Sequence, residues 1–297
     1  MWIQKVAGGA VELLAYSPDG STLYTSDAGA WITAWDIAAH TGKRLFNLRK
    51  LGLGYPYEMV MADNGNLLLV RGQLNWWLVW DVPDSAEHTR FTLKGNEHTV
   101  KFDPRGTSAL RVSRKGLRQW DVRTRKYAPE FARWQLHNST YRIAITADRR
   151  RAATVTSNHE VRIADFADGK RPYKLKLPAL ANHFFPNLNF SPDGNTLIIF
   201  DTAQVFLWDV PTRRVRKKFL WKAFRWRKIA FHPTAPVFAG CNHEGVFTLF
   251  NLETGEPIKS LDFALGQTVR CAEFAPDGLT CVVGGSNRQL AIFDVDV

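Results

Sequence analysis

The 297 residues carry a net charge of +11 with 45% hydrophobic, 23% charged and 12% aromatic side chains, the composition expected of an ordinary soluble protein. No stretch approaches the ~18 uninterrupted apolar residues of a membrane-crossing helix, and Met1 to Ala10 lacks the apolar centre of a secretory leader, so a cytoplasmic location is expected. Cys241, Cys271 and Cys281 fall in strand-like segments without metal-ligand spacing; buried thiols are expected, and no metal or cofactor.

In chain order, Trp2 to Val6 alternates like a strand, and seven units of roughly 43 residues follow. Each ends in a pair that is mostly aromatic plus acid: Trp35-Asp36, Trp80-Asp81, Trp120-Asp121, Ala164-Asp165, Trp208-Asp209, Phe250-Asn251 and Phe293-Asp294. A turn stands at nearly constant distance before each pair. Ser17-Pro18-Asp19-Gly20 and Ser191-Pro192-Asp193-Gly194 are the clearest, and Ala275-Pro276-Asp277-Gly278 and His232-Pro233-Thr234-Ala235 occupy the same place. Proline suits the second turn position and glycine accepts the positive φ later in it.

The fifth unit shows what lies between. Leu188 and Phe190 lead into the turn, and Leu197 to Phe200 is a continuously apolar run, as in a strand buried on both faces. Val205 to Trp208 is a third strand and Arg214 to Phe219 a more exposed fourth. A four-stranded meander buries its faces only by stacking on neighbours, so the units read as one domain over residues 1–297.

These turns and terminal Trp-Asp pairs, in register along the whole chain, resemble the WD-repeat (Trp-Asp repeat) family. The resemblance implies an all-β, seven-bladed β-propeller of four-stranded antiparallel blades. The N-terminal strand is expected to close the last blade by pairing with Arg288 to Phe293, which removes an exposed edge. The family's blade network of His, Asp, Ser or Thr and Trp is mostly absent. Asp27 and Asp201 stand in suitable turns, whereas His98, His137 and His183 miss the usual spacing.

No catalytic constellation is found: there is no phosphate-binding glycine loop, nucleophile elbow or His-Glu-x-x-His, and His159-Glu160 and His243-Glu244 read as solvated turns, so an enzyme is not expected. In the resembling family, loops at one mouth of the channel commonly contact partners. Repeat register places Tyr55, Tyr57, Trp76, His98, Tyr141, Phe184, Arg225, Arg227 and Arg270 on that face. Tyr, Trp and Arg are the residue types that dominate binding hot spots. A non-catalytic scaffold for a protein or peptide partner is therefore the first expectation.

Charge supplies the second. Residues 101–176 hold 19 Lys and Arg against 7 Asp and Glu, and residues 211–230 hold 9 against none. The strip Arg213, Arg214, Arg216, Lys217, Lys218, Lys222 and Lys228, interleaved with aromatics, makes a nucleic acid or an anionic membrane surface the alternative partner.

Overall fold

A computed structural model describes residues 2–62, 64–73, 76–92, 100–102, 108–113, 116–122, 124, 126–127, 140–148, 150–156, 160–165, 172–177, 186–201, 204–220, 228–241, 246–262 and 269–296. The described strands pair into seven four-stranded antiparallel sheets, numbered I to VII in chain order. They fall in two compact units.

The first unit spans residues 1–94, 226–252 and 256–297 and holds four sheets. Sheet I comprises β2 (Val11–Tyr16), β3 (Thr22–Asp27), β4 (Trp31–Asp36) and β5 (Thr41–Asn47). Sheet II comprises β6 (Glu58–Met61), β7 (Leu67–Arg71), β8 (Trp76–Asp81) and β9 (Ala86–Thr92). Sheet VI comprises β22 (Lys228–Phe231), β23 (Val237–Cys241), β24 (Val246–Asn251) and β25 (Pro257–Asp262). Sheet VII comprises β26 (Val269–Phe274), β27 (Thr280–Gly285), β28 (Gln289–Asp294) and, as its fourth strand, β1 (Trp2–Lys5).

The second unit, residues 95–225 and 253–255, holds the other three sheets. Sheet III is β10 (Val100–Phe102), β11 (Ser108–Ser113), β12 (Gly116–Asp121) and β13 (Lys126–Tyr127). Sheet IV is β14 (Thr140–Ile145), β15 (Arg151–Thr156), β16 (Val161–Asp165) and β17 (Tyr173–Lys174). Sheet V is β18 (Asn187–Phe190), β19 (Thr196–Phe200), β20 (Gln204–Asp209) and β21 (Arg214–Leu220).

The expected pairing of the N-terminal strand is found. Trp2 faces Ile292 and Lys5 faces Gln289 in the ladder, and the Val6 amide donates to the Arg288 carbonyl at 2.7 Å. Val6 is buried in the cluster shared by sheets VII and I, and Trp2 stacks on His40 with ring centroids 4.7 Å apart.

Every third strand ends on the second residue of its repeat pair. The reason is local. The side chains of Asp36, Asp81 and Asp209 each accept the backbone amide three residues on, at 2.8, 3.0 and 2.8 Å, which fixes the turn into the fourth strand. The first turns are fixed in the same manner. Ser17 Oγ donates to Asp19 at 2.6 Å and accepts the Thr22 amide at 2.9 Å, and Ser191 with Asp193 and Thr196 repeats the arrangement. Hydrogen bonds from Ser17 and Ser21 hold the Asp19 carboxyl below the usual range; at Asp193 burial opposes the same bonds and is outweighed.

Sheet VI departs from this pattern. His232 takes the serine's place and is buried. Its Nδ1 accepts the amides of Ala235 at 2.8 Å and Thr234 at 3.2 Å, so Nε2 carries the proton and donates to the Gly278 carbonyl of sheet VII at 3.0 Å. One side chain thereby closes its own turn and ties two sheets together.

Apolar burial between sheets supplies the bulk of cohesion. The middle strands are buried on both faces, as the continuous runs predict: all five residues of β19 are buried. Phe46 of sheet I meets Trp80 of sheet II with centroids 4.1 Å apart, and Phe247 of sheet VI meets Phe293 of sheet VII at 5.2 Å. The polar blade network is partly present in sheet I, where Trp35 Nε1 donates to Thr25 Oγ1 at 2.9 Å and Asp27 Oδ1 accepts the Trp31 amide at 3.0 Å. His98, His137 and His183 lie outside the described residues. Cys271 and Cys281 are buried on adjacent strands.

Candidate functional site

In the first unit the loop from β5 to β6 is pinned by backbone bonds, Leu53 amide to Leu48 carbonyl at 2.8 Å and Gln73 amide to Leu53 carbonyl at 2.7 Å. Buried Leu53 and Pro56 anchor it, so Tyr55 and Tyr57 are presented from a fixed frame. Tyr57 is 55% exposed, one of few large apolar side chains in solvent among the described residues. Its amide donates to the Arg71 carbonyl at 2.8 Å, which brings it beside the end of β7.

Arg71 is the centre of this corner. Its guanidinium lies 5.7 Å from the Tyr57 ring centroid and 5.6 Å from that of Trp77, and 3.7 Å from the Glu58 carboxylate. Around it, the Arg49 guanidinium covers Tyr55 at 4.5 Å, and Trp31 at the start of β4 has Arg44 at 4.7 Å and Lys50 at 5.3 Å. Trp76, half-buried, opens β8. Cations held over aromatic rings keep amphipathic surface ordered and exposed, which suits a partner bringing carboxylates and apolar side chains.

Of the residues predicted for the partner face, Tyr55, Tyr57 and Trp76 thus share one corner of sheets I and II. Arg270 does something else: in β26 it pairs with Glu12 of β2 and joins sheets VII and I. His98, Phe184, Arg225 and Arg227, and the side chain of Tyr141, lie outside the described residues. Sequence reasoning missed Trp31, Arg49 and Arg71. The signal for Trp31 was its place directly after the second turn of its unit, equivalent to Trp76.

The basic strip is less free than its composition suggests. Arg213 lies over the Tyr173 ring at 4.3 Å, Arg216 pairs with Asp209 at 2.5 Å, and Lys218 stands 5.4 Å from the Phe206 centroid. Burial works against the Asp209 carboxylate, but bonds from Arg216 and Thr212 outweigh it and hold its pKa at about 2. Lys217 is half-buried, its stem against Gly255. Lys222 and the side chain of Lys228 lie outside the described residues. Glu160, from one of the two His-Glu turns, is bound by Arg162 at 2.9 Å and Lys174 at 2.6 Å, a structural role. Among the described residues no cluster of metal-ligating side chains occurs and no helix is long and apolar enough to cross a membrane.

No family model and no curated protein matches the chain. Among solved structures it is similar to a chain of the crystal structure of the mitotic checkpoint complex, with a TM-score of 0.78 and 14% identity over 100% of this chain and 91% of that one. At that identity the likeness shows the fold alone, an all-β propeller with four-stranded antiparallel blades.

Proposed function

We propose that this chain is a non-catalytic, cytoplasmic interaction scaffold of the WD-repeat type. It holds a protein partner on the aromatic, basic corner of sheets I and II. The WD-repeat reading is supported by the return of β1 to β28 and by a propeller likeness that extends over 100% of the chain. The partner reading is carried by one observation: Tyr57, 55% exposed, stands beside Arg71 on a loop pinned by buried residues, where folding alone gives no reason for an aromatic. The structural neighbour belongs to a protein complex, which fits a protein partner. Binding of nucleic acid through the strip is less favoured, because Arg213, Arg216 and Lys218 already have partners within the fold.

A photo-crosslinking phenylalanine analogue placed at Tyr57, and separately at exposed Ile258 on β25, tests the reading in cells. A discrete protein captured from position 57, not from 258, and lost on Arg49→Glu supports it. Capture of nucleic acid, or the same products from both positions, overturns it.

A further inference from the structure

A second surface, on the second unit, has the chemistry of a recognition site. Strand β17 is only two residues long, and past it the chain continues as buried Leu175, exposed Lys176 and half-buried Leu177. Opposite lie Trp208 at the end of β20 and the start of β21. Between them opens a groove of about 690 Å³, lined by Tyr173, Lys176, Leu177, Trp208, Arg213 and Arg214 among others. That size falls within the range of ligand-binding clefts.

The lining is one-sided. Among its described residues are four cationic side chains, counting Lys174, and no carboxylate. Such groups donate hydrogen bonds and accept none, so an occupant must bring acceptors and negative charge. Lys174 is engaged by Glu160 at 2.6 Å and Arg213 rests on Tyr173, whereas no described carboxylate pairs with Lys176 or Arg214. Burial pushes the pKa of the Tyr173 hydroxyl up, which keeps it protonated and able to donate. Leu177, Val215 and the indole of Trp208 give the floor apolar character.

The rings decide what kind of anion fits. A nucleic acid strand gains affinity by stacking bases on open aromatic faces. Here Arg213 covers Tyr173 at 4.3 Å and Trp208 is 2% exposed, so no open face is offered among the described rings of the groove. Carboxylates beside an apolar side chain match both rim and floor.

We propose that this groove docks an acidic segment of a partner protein, with Asp or Glu side chains on Lys176 and Arg214 and an apolar side chain against Leu177 and Val215. This contact is separate from the corner of sheets I and II and stands whether or not that corner binds.

The probe is a short fluorescein-labelled peptide of Glu and Asp with a central Leu-Phe pair, titrated with the full chain and read by fluorescence anisotropy. The double variant Lys176→Glu/Arg214→Glu should raise Kd at least about tenfold, as expected when two charge-assisted contacts reverse sign. Tyr57→Ala should leave it unchanged, and replacing the Leu-Phe pair by Ala-Ala should weaken binding in the parent protein. Should the charge reversal impair folding, Lys176→Gln/Arg214→Gln gives the same comparison. Unchanged affinity in these variants overturns the proposal. So does equal binding of the Ala-Ala peptide, which would mean unspecific charge attraction, or displacement by a thymidine oligonucleotide of equal charge with matching affinity.

Discussion

His232 and Gly278 can be separated by a double-mutant cycle, because the structure gives each a distinct cost. Gly278 has φ +77°, and a Cβ built there would stand 2.4 Å from His232 Cε1 and 2.6 Å from Nε2. The ring has no room to retreat, since Nδ1 is held by two amides and Nε2 by the Gly278 carbonyl. Gly20 is the internal standard: its φ is +74°, yet the nearest atom to its Cβ is Pro276 Cδ at an ordinary 3.5 Å. Gly20→Ala should therefore cost only the left-handed backbone penalty, about 1–2 kcal/mol. Gly278→Ala should cost that plus about 1–3 kcal/mol of overlap with the ring. His232→Ala, which strands two amides and a carbonyl, should cost about 2–4 kcal/mol. In His232→Ala/Gly278→Ala the overlap disappears, so the double variant should cost about 1–3 kcal/mol less than the sum of the singles. Urea unfolding followed by tryptophan fluorescence measures all four. Additivity within about 0.5 kcal/mol, or equal costs for Gly278→Ala and Gly20→Ala, would refute the reasoning.

Removal of Met1 to Val6 should lower the melting temperature far more than an ordinary terminal trim: burial of Val6 alone is worth about 1.5–3 kcal/mol, and a drop on the order of 5–10 °C in calorimetry is expected once the β1 ladder is included. Asp209, with its pKa depressed to about 2, contributes stability that is present above its unfolded value near 3.8 and lost as pH falls toward 2. Asp209→Asn should thus be ~1 kcal/mol less stable at pH 6 on this partly screened rim, with the gap closing when urea midpoints are compared at pH 2–3. Asp27 has the opposite sign. Burial raises its pKa, so its charge opposes folding at neutral pH, and stability rises as pH falls through the folded value. Asp27→Asn retains an acceptor for the Trp31 amide, so it should unfold at an equal or higher urea concentration at pH 7, an advantage that fades in acid.

Much of the architecture was readable because the repeats advertise local chemistry. The acid of a repeat pair can close a turn three residues on, and Asp36, Asp81 and Asp209 thereby mark the ends of β4, β8 and β20. Trp2 to Lys5 was legible as a strand by its alternation and found its place opposite β28 because an edge there lacked a partner. The candidate sites were less accessible. Nothing in the spacing of Tyr57, Arg71 and Trp77 reveals that they meet, since the contact is made by a loop folding back on β7. The basic strip shows the same limit: runs of Lys and Arg in a sequence do not display Asp209, Tyr173 and Phe206, which approach from other strands. His232 looked like a turn residue and is one, but its bond to Gly278 joins segments 46 residues apart.

The return of β1 to β28 also orders events in time. Apart from this pairing, the strand pairings in the seven sheets are between sequence neighbours and close over short loops, whereas β1 is made long before β28 exists. Until then both strands present unpaired backbone groups, and Trp2–Lys5 of a second copy satisfies β28 as well as the chain's own does. Refolding at high concentration should consequently divert molecules into exchanged dimers, while dilute refolding completes the sheet within one chain.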